Sequence, residues 1–327
     1  MKVLLTGGAG FIGSHVANRL VLEGYDVAII DNLSSSSSEN LPENVKFYHF
    51  DINDCFVEKI VETEKPNIVI HLAAQTSVVH SMKEPFFDFQ TNTAATVKLL
   101  QYAVEYGVDH FLFASSAAVY GEPLHLPISE QHPVNPQSFY AVSKYAAERY
   151  IVNFAQQYNL TSTILRFSNV YGPKQNTQGE AGVVGRFISK IVEKENCIIY
   201  GGAQTRDFIY VKDIADAVLK AIVAKKEGIY NVSSNTEISI RQLYEMISEK
   251  LSSDAPPSFL SYRDGELHRS VLSNERARKE LSWHPIYSIS EGLDETINDF
   301  LLCNEFRMEG RYNEAYSNQY IGTITQG

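Results

Sequence analysis

Only three cysteines, Cys55, Cys197 and Cys303, occur in the 327 residues. They are odd in number and far apart, which predicts reduced core thiols rather than a disulfide framework or a zinc site. The chain also lacks any apolar run near the ~20 residues needed to span a membrane. Met1 leads straight into a short apolar strand without a signal-peptide pattern, so the expected place is the cytoplasm. Basic residues are in the minority: 28 Lys and Arg against 39 Asp and Glu leave a net charge of −11, which argues against a nucleic-acid partner. Nothing repeats. What is present is a chain of 44% hydrophobic residues, long enough for a large core or two lobes.

The first informative stretch is the start. Lys2 to Thr6 reads as a short apolar strand, Gly7-Gly-Ala-Gly-Phe-Ile-Gly13 follows as Gly-x-x-Gly-x-x-Gly, and Ser14 onward has helical apolar spacing. In a strand–turn–helix, Gly7 takes the tight turn, Gly10 lets backbone approach a pyrophosphate, and Gly13 lets the helix lie close on the strand. The second strand, Asp26 to Ile30, ends at Asp31, where a carboxylate meets the hydroxyls of an adenosine ribose and disfavours a 2′-phosphate. This predicts NAD rather than NADP, with Asn32 assisting. The alternative is that Asp31 only caps the following turn.

The alternation continues. Residues 45–50 read as a strand ending at Asp51, 54–64 as a helix, 68–72 as a buried strand, 85–106 as a helix after Pro85, and 110–114 as a strand leading to Ser115 and Ser116. Alternating strands and helices predict an α/β, Rossmann-like doubly wound parallel sheet, with ligands over the carboxyl ends of the strands. Ala73, Ala74, Gln75, Asn92, Ser115 and Ser116 each follow or face such an end.

Tyr140 and Lys144 stand four apart in a helical run, so both polar ends point to one place. At about 6 Å and an effective dielectric near 20, an ammonium lowers the phenol by roughly 3 kcal/mol, about two pKa units. Tyr140 is then expected to exchange protons near neutral pH, with the Ser116 hydroxyl bonding a substrate oxygen beside it. Tyr-x-x-x-Lys alone is a common spacing, and two serines after a strand are routine turn residues. The glycine loop and the alternating strands are what give both a meaning.

With these motifs together the chain resembles the extended short-chain dehydrogenase/reductases, and within them the nucleotide-sugar 4-epimerases of the UDP-galactose epimerase type. The residues that carry the resemblance are Gly7 to Gly13, Asp31-Asn32, Asp51-Ile52, His71-Leu-Ala-Ala74, Asn92, Ser115 to Gly121, Tyr140 to Lys144, Leu165 to Gly172 and Arg206 to Asp213. The resemblance implies that Tyr140 is the acid/base, that Lys144 holds the nicotinamide ribose and that Ser116 bonds the sugar's 4-oxygen. It places Phe11, Ile12, Asp31, Asn32, Asp51, Ile52, Leu72 to Gln75, Asn92, Ser115 and Phe167 around NAD. It places Asn169, Val184, Tyr200, Arg206, Arg263 and Ser270 on the UDP-sugar, with the two arginines on the diphosphate.

Relatives that dehydrate or decarboxylate nucleotide sugars generally carry an acidic residue just after the paired serines; this chain has Ala117-Ala118, which cannot move a proton. The expected reaction is therefore epimerisation at C4. A reductase of a nucleotide 4-keto-6-deoxysugar is the alternative. Ser270 falls where relatives restricted to glucose and galactose have a large Tyr, which leaves room for an N-acetyl group and suggests UDP-GlcNAc and UDP-GalNAc as further substrates. The expected lobes are 1–172 with 203–227 for NAD, and 173–202 with 228–327 for the nucleotide sugar. The resemblance implies a homodimer through the helices at 85–106 and 138–158.

Overall fold

The computed structural model describes residues 1–175, 182–262 and 267–308. Strand β1 (Lys2–Thr6) sends Val3 and Leu5 into one apolar cluster and Leu4 into another, all fully buried. A strand apolar on both faces must be covered on both. The chain supplies the cover as it goes: α1 (Phe11–Leu22), β2 (Asp26–Asp31), β3 (Lys46–His49), α2 (Phe56–Glu64), β4 (Ile68–His71), α3 (Val78–Lys83), α4 (Pro85–Phe89), α5 (Ala95–Glu105), β5 (His110–Ser116), α6 (Phe139–Tyr158) and β6 (Thr161–Phe167). The remainder is β7 (Asn169–Tyr171), α7 (Val183–Val192), β8 (Ile198–Tyr200), β9 (Thr205–Arg206), β10 (Phe208–Tyr210), α8 (Val211–Ala224), β11 (Gly228–Val232), β12 (Ile238–Ser239), α9 (Ile240–Lys250), β13 (Ser258–Leu260), α10 (Glu275–Glu280) and α11 (Ile289–Met308).

Seven strands form one parallel sheet in the order β11-β6-β5-β4-β1-β2-β3. One face is packed by α1 and α8 through Leu20, Val218 and Ile222, with Trp283 at its edge; the other by α2, α5 and α6 through Ile60, Leu99 and Ile151. This is the doubly wound α/β fold that the alternation predicts. The strand order reverses at β1 and β4, so the crevice for a ligand opens above their carboxyl ends.

Two features depart from the sequence reading. The helix expected over 85–106 is interrupted by one wide π-turn, Gln90–Ala94, between α4 and α5. This turn brings Asn92 and Thr93 to bond Ser143 on α6, and such turns often occur where side chains are re-aimed. The second departure corrects the lobe boundary at 228: β11 pairs with β6 and buries Tyr230 and Val232 in the first core, so the chain does not leave that lobe there. Conversely β10 pairs with β7 in a separate two-stranded sheet, while α8 returns to the first core as expected. The second lobe gathers α7, α9 and α11 around Phe187, Leu243, Ile247 and Leu293. Its small sheets are a β8–β13 parallel pair and a β9–β12 antiparallel pair. Among the described residues no helix is long and apolar enough to cross a membrane.

Candidate active site

The crevice begins at the glycine loop. Gly7 has φ +71°, and a Cβ there would lie 2.6 Å from the Ala73 nitrogen; a Cβ on Gly13 would lie 1.9 Å from the Gly7 carbonyl oxygen. Neither position has room for a side chain. Gly10 caps α1 without a side-chain acceptor and no acidic residue stands in the first turn, so the leading N–H groups at Phe11 and Ile12 present positive ends to the crevice. An uncapped helix start behind a glycine turn fits a dinucleotide pyrophosphate. Beneath it the Thr6 hydroxyl lies 2.7 Å from His71 Nδ1 and accepts from the Ala73 N–H at 3.2 Å, while His71 Nε2 lies 3.0 Å from the Thr96 hydroxyl. Burial, helped by the charge of Lys144, pushes His71 down to about 3, so this brace is neutral. Leu72 and Ala73 pack against the two cores on either side.

Asp31 is buried at the end of β2. Its Oδ2 accepts from the Ala9 N–H at 3.0 Å and its Oδ1 from the Leu33 N–H at 2.8 Å and the Ser36 hydroxyl at 3.0 Å. The turn-capping alternative is therefore realised, and the same carboxylate also braces the glycine loop. Asn32 donates to Asp51 at 2.6 Å, and Asp51 in turn accepts from the Asn53 N–H at 2.8 Å. Ile52 is buried beside them. The acidic end of β2 and β3 is thus pre-ordered.

On the other side of the crevice, Ser138 caps α6 by accepting from the Ala141 N–H at 3.2 Å, which starts the helix just before Tyr140. Tyr140, Lys144 and Glu148 follow at four-residue steps on one face. Ser116, the last residue of β5, accepts from the Ala118 N–H at 3.2 Å and is a hydrogen-bond partner of the Tyr140 phenol. The three expected catalytic side chains converge where β5 meets α6.

Their electrostatics differ from expectation. The side chain of Tyr140 is half-buried overall but its phenol is enclosed, and burial pushes it up to about 12; Ser116 opposes this and Asp88 reinforces it. The neutral-pH base suggested by the Tyr140–Lys144 spacing is not what these groups make by themselves. Lys144 donates to the Ala114 carbonyl at 2.9 Å and sits 4.7 Å over the Phe113 ring. Burial lowers its amine to about 8, against the opposing pull of Asp88 and Glu148. Removal from water dominates both groups, and Lys144 is not among the influences on the phenol.

Several residues assigned to the cofactor turn out to brace this arrangement. Asn92 is buried: its Oδ1 accepts from the Gln75 N–H at 2.9 Å, and its Nδ2 donates to the Gln75 carbonyl at 2.9 Å and to Ser143 at 3.2 Å. Ser143 bonds back to the Tyr140 carbonyl at 3.0 Å. Ser115 points away from the crevice and donates to Glu148 at 2.5 Å. Phe167, at the end of β6, is buried in the first core. Sequence reasoning missed Asp88, Ser143, Glu148 and Arg166; only Glu148 had a local signal, as the next step of the four-residue spacing after Lys144.

The substrate-side residues lie on the neighbouring elements. Asn169 is exposed and its N–H donates to the Asp207 carbonyl at 2.9 Å. Arg206 follows on β9, with one guanidinium nitrogen donating to the carbonyls of Thr205 (2.8 Å) and Leu267 (2.9 Å). Val184 is buried in the second-lobe core, Tyr200 ends β8 half-buried, and Ser270 is buried just before Val271 and Leu272, the latter in an isolated bridge to Ile128. Arg263 lies outside the described residues. Asp207, unassigned from sequence, is the hub here. It accepts from Ser234 N–H (2.9 Å) and hydroxyl (2.8 Å), and from Ser168, Asn235 and Leu272 at 3.2 Å each. Burial pushes its carboxyl up to about 6 despite those donors.

Comparison with known proteins agrees with this geometry. Residues 3–233 match the model of the NAD dependent epimerase/dehydratase family. The chain is 40% identical to the putative UDP-glucose 4-epimerase of Methanocaldococcus jannaschii, over 90% of this chain and 97% of that protein. Its structure superposes with TM-score 0.90 on the UDP-glucose 4-epimerase of Thermotoga maritima solved with UDP-glucose, at 38% identity, covering 93% of this chain and 100% of that one. A TM-score of 0.88 relates it to the UDP-N-acetylglucosamine 4-epimerase of Methanobrevibacter ruminantium M1 in complex with UDP-N-acetylmuramic acid, at 37% identity over 92% and 98% of the chains. A glycine loop over an uncapped helix, an acidic β2 end and a Ser–Tyr–Lys cluster on the same crevice have the origin these likenesses indicate: the chain belongs to the NAD dependent epimerase/dehydratase family and is an NAD-dependent enzyme of it.

Proposed function

We propose that the chain is a UDP-sugar 4-epimerase that interconverts UDP-glucose with UDP-galactose and UDP-GlcNAc with UDP-GalNAc through a 4-keto sugar. The observation that carries this is the convergence of Ser116, Tyr140 and Lys144 at a strand end where the next two residues are Ala117 and Ala118. Dehydration or decarboxylation needs a second proton-transfer group at that place, and alanine offers none. NAD, held at the glycine loop, would supply the hydride carrier and a positive charge that favours the phenolate. Tyr140 then takes the proton of the 4-hydroxyl at its phenol oxygen and later returns it. Ser116 holds the 4-oxygen in reach of Tyr140. Lys144, fixed on the Ala114 carbonyl, keeps a positive charge at the cofactor side of the phenol.

The 4-keto sugar must present its other face before hydride returns, so the grip belongs on the nucleotide. Asn169, Tyr200, Arg206 and Arg263 are read as that grip, with Val184 alongside. Ser270, small and buried, is read as the space for an N-acetyl group. The NAD-binding lobe is read as 1–172 and 203–232, with the nucleotide-sugar lobe made from most of the rest. A homodimer is supported by the exposed Phe86 and Phe89 on α4 and Phe139, Val142 and Tyr150 on α6, two helices that pack side by side. That none of the three cysteines is in a disulfide favours the cytoplasm.

The test is to incubate the purified protein with UDP-glucose, UDP-GlcNAc and UDP-glucuronate without added cofactor and follow the anomeric protons by NMR. Growth of the galacto-configured signals from the first two, with UDP-glucuronate unchanged, supports the reading. Turnover that instead consumes reduced cofactor stoichiometrically on a 4-keto-6-deoxysugar nucleotide replaces it with the reductase.

A further inference from the structure

Asp88 is fully buried in α4, yet among the described residues no cation bonds it. Its Oδ1 accepts from two neutral amides, Gln75 at 2.7 Å and Asn92 at 3.1 Å, and its Oδ2 is buried with no hydrogen-bond partner. A carboxylate taken out of water in this way needs a positive charge within range. α4 packs against α6, and the charge of Asp88 reaches both Lys144 and Tyr140.

We propose that Asp88 is the counter-ion of Lys144, a positioning residue whose buried carboxylate keeps that amine charged while Tyr140 exchanges protons. Of the other groups around Lys144 only Glu148 also raises the amine, and it does so less than Asp88. Glu148, on the same helix, is committed to the Arg166 guanidinium through bonds of 2.9 and 2.5 Å. His71 on β4 is neutral, and before NAD binds the Tyr140 phenol, pushed up to about 12 by burial, is neutral too. Ala114 offers only a carbonyl and Phe113 only a ring face. Asp88 is thus the acid whose charge no other cation on these elements offsets. Without it the amine, already lowered by burial, would lose its proton within the working pH range. The geometry also explains the π-turn, which lets Asn92 hold Asp88 and Ser143 at once and so fixes the acid against the helix of Tyr140 and Lys144.

The inference concerns the charge state of the cluster and does not depend on which sugar is turned over. The experiment follows the ε-carbon of Lys144 by NMR in the full chain labelled with [ε-13C]lysine, with and without NAD; the resonance is assigned as the one missing from Lys144→Met. In Asp88→Asn, which keeps the acceptor for Gln75 and Asn92 but removes the charge, the titration midpoint of Lys144 is expected to fall by about one pH unit, the size of one charge acting across roughly 12 Å at an effective dielectric near 20. Asp88→Glu is expected to recover most of that fall. Asp88→Leu, which leaves no buried polar atom behind, serves if Asp88→Asn does not fold and is expected to show the same fall. A midpoint unchanged within 0.2 pH units (about a fifth of the expected change) in a folded charge-removed variant overturns the proposal and leaves Asp88 a structural brace for Gln75 and Asn92.

Discussion

Arg166 donates its Nε at 2.9 Å and a terminal nitrogen at 2.5 Å to the two oxygens of Glu148, and both side chains are buried. Glu148 also accepts from Ser115, the neighbour of Ser116, and the guanidinium lies 4.7 Å over the Tyr120 ring. The pair fastens β6, α6 and the end of β5 to one another. Removing one partner strands a buried charge, so Glu148→Leu or Arg166→Met alone is expected to cost about 3–5 kcal/mol in stability. The double variant is expected to recover much of that loss. Urea denaturation of the two single variants and the double variant checks it, and equal instability of all three would contradict this account.

Tyr140→Phe removes the only proton-exchanging group on the sugar's 4-oxygen in the proposed cycle. Turnover is expected to drop by about 10²–10⁴-fold with NAD still bound, because general acid–base catalysis supplies rate enhancements of that order. Ser116→Ala also takes away the hydrogen bond that favours the phenolate, so its pH–rate profile is expected to move to higher pH. A tenfold or smaller loss in Tyr140→Phe would count against catalysis by this residue.

Ser270 is buried where a large ring would fill the space read as an N-acetyl pocket. Ser270→Tyr is expected to lower activity on UDP-GlcNAc and UDP-GalNAc relative to UDP-glucose and UDP-galactose by tenfold or more, an effect of order 1.4 kcal/mol or above. Assays of both pairs with wild type and variant decide it, and an unchanged ratio would show that this position does not select the sugar.

Glu64 ties the front edge of the sheet together. Its carboxylate accepts from Lys2 on β1 at 2.9 Å, from Lys46 on β3 at 3.0 Å and from the Tyr48 hydroxyl at 2.5 Å. Burial alone would raise its pKa, but these donors outweigh it and hold it at about 2, below the ordinary 4.5. The stabilisation is therefore present above about 4.5 and is lost as the pH falls through 2. Urea midpoints measured between pH 2 and 7 are expected to fall less steeply on acidification in Glu64→Gln than in wild type. Parallel curves would mean that Glu64 does not contribute to the acid limb.

The alternation of β1, α1 and β2 and the glycine turn were legible from sequence because each is a local pattern: apolar residues at period two or 3.6, broken by residues with special backbone freedom. Tyr140 and Lys144 were legible for the same reason, since a four-residue step puts two side chains on one helix face. β11 was not. Gly228–Val232 is short and gives no sign of its partner, and its place depends on pairing with β6, which lies far away in the chain. Asp207 sits inside the Arg206-Asp-Phe run, but its role as a hub shows only when Ser168, Ser234 and Leu272 are brought round it.

Residue type and local spacing thus determined the class of fold, the NAD loop and the Ser–Tyr–Lys set, because propensity, periodicity and backbone sterics act over a few residues. Tertiary structure alone decided the charge states within the set. A pKa depends on how much water is excluded and on which distant carboxylate comes within range, and the charge of Asp88 reaches Lys144 only after two helices far apart in the chain are laid together.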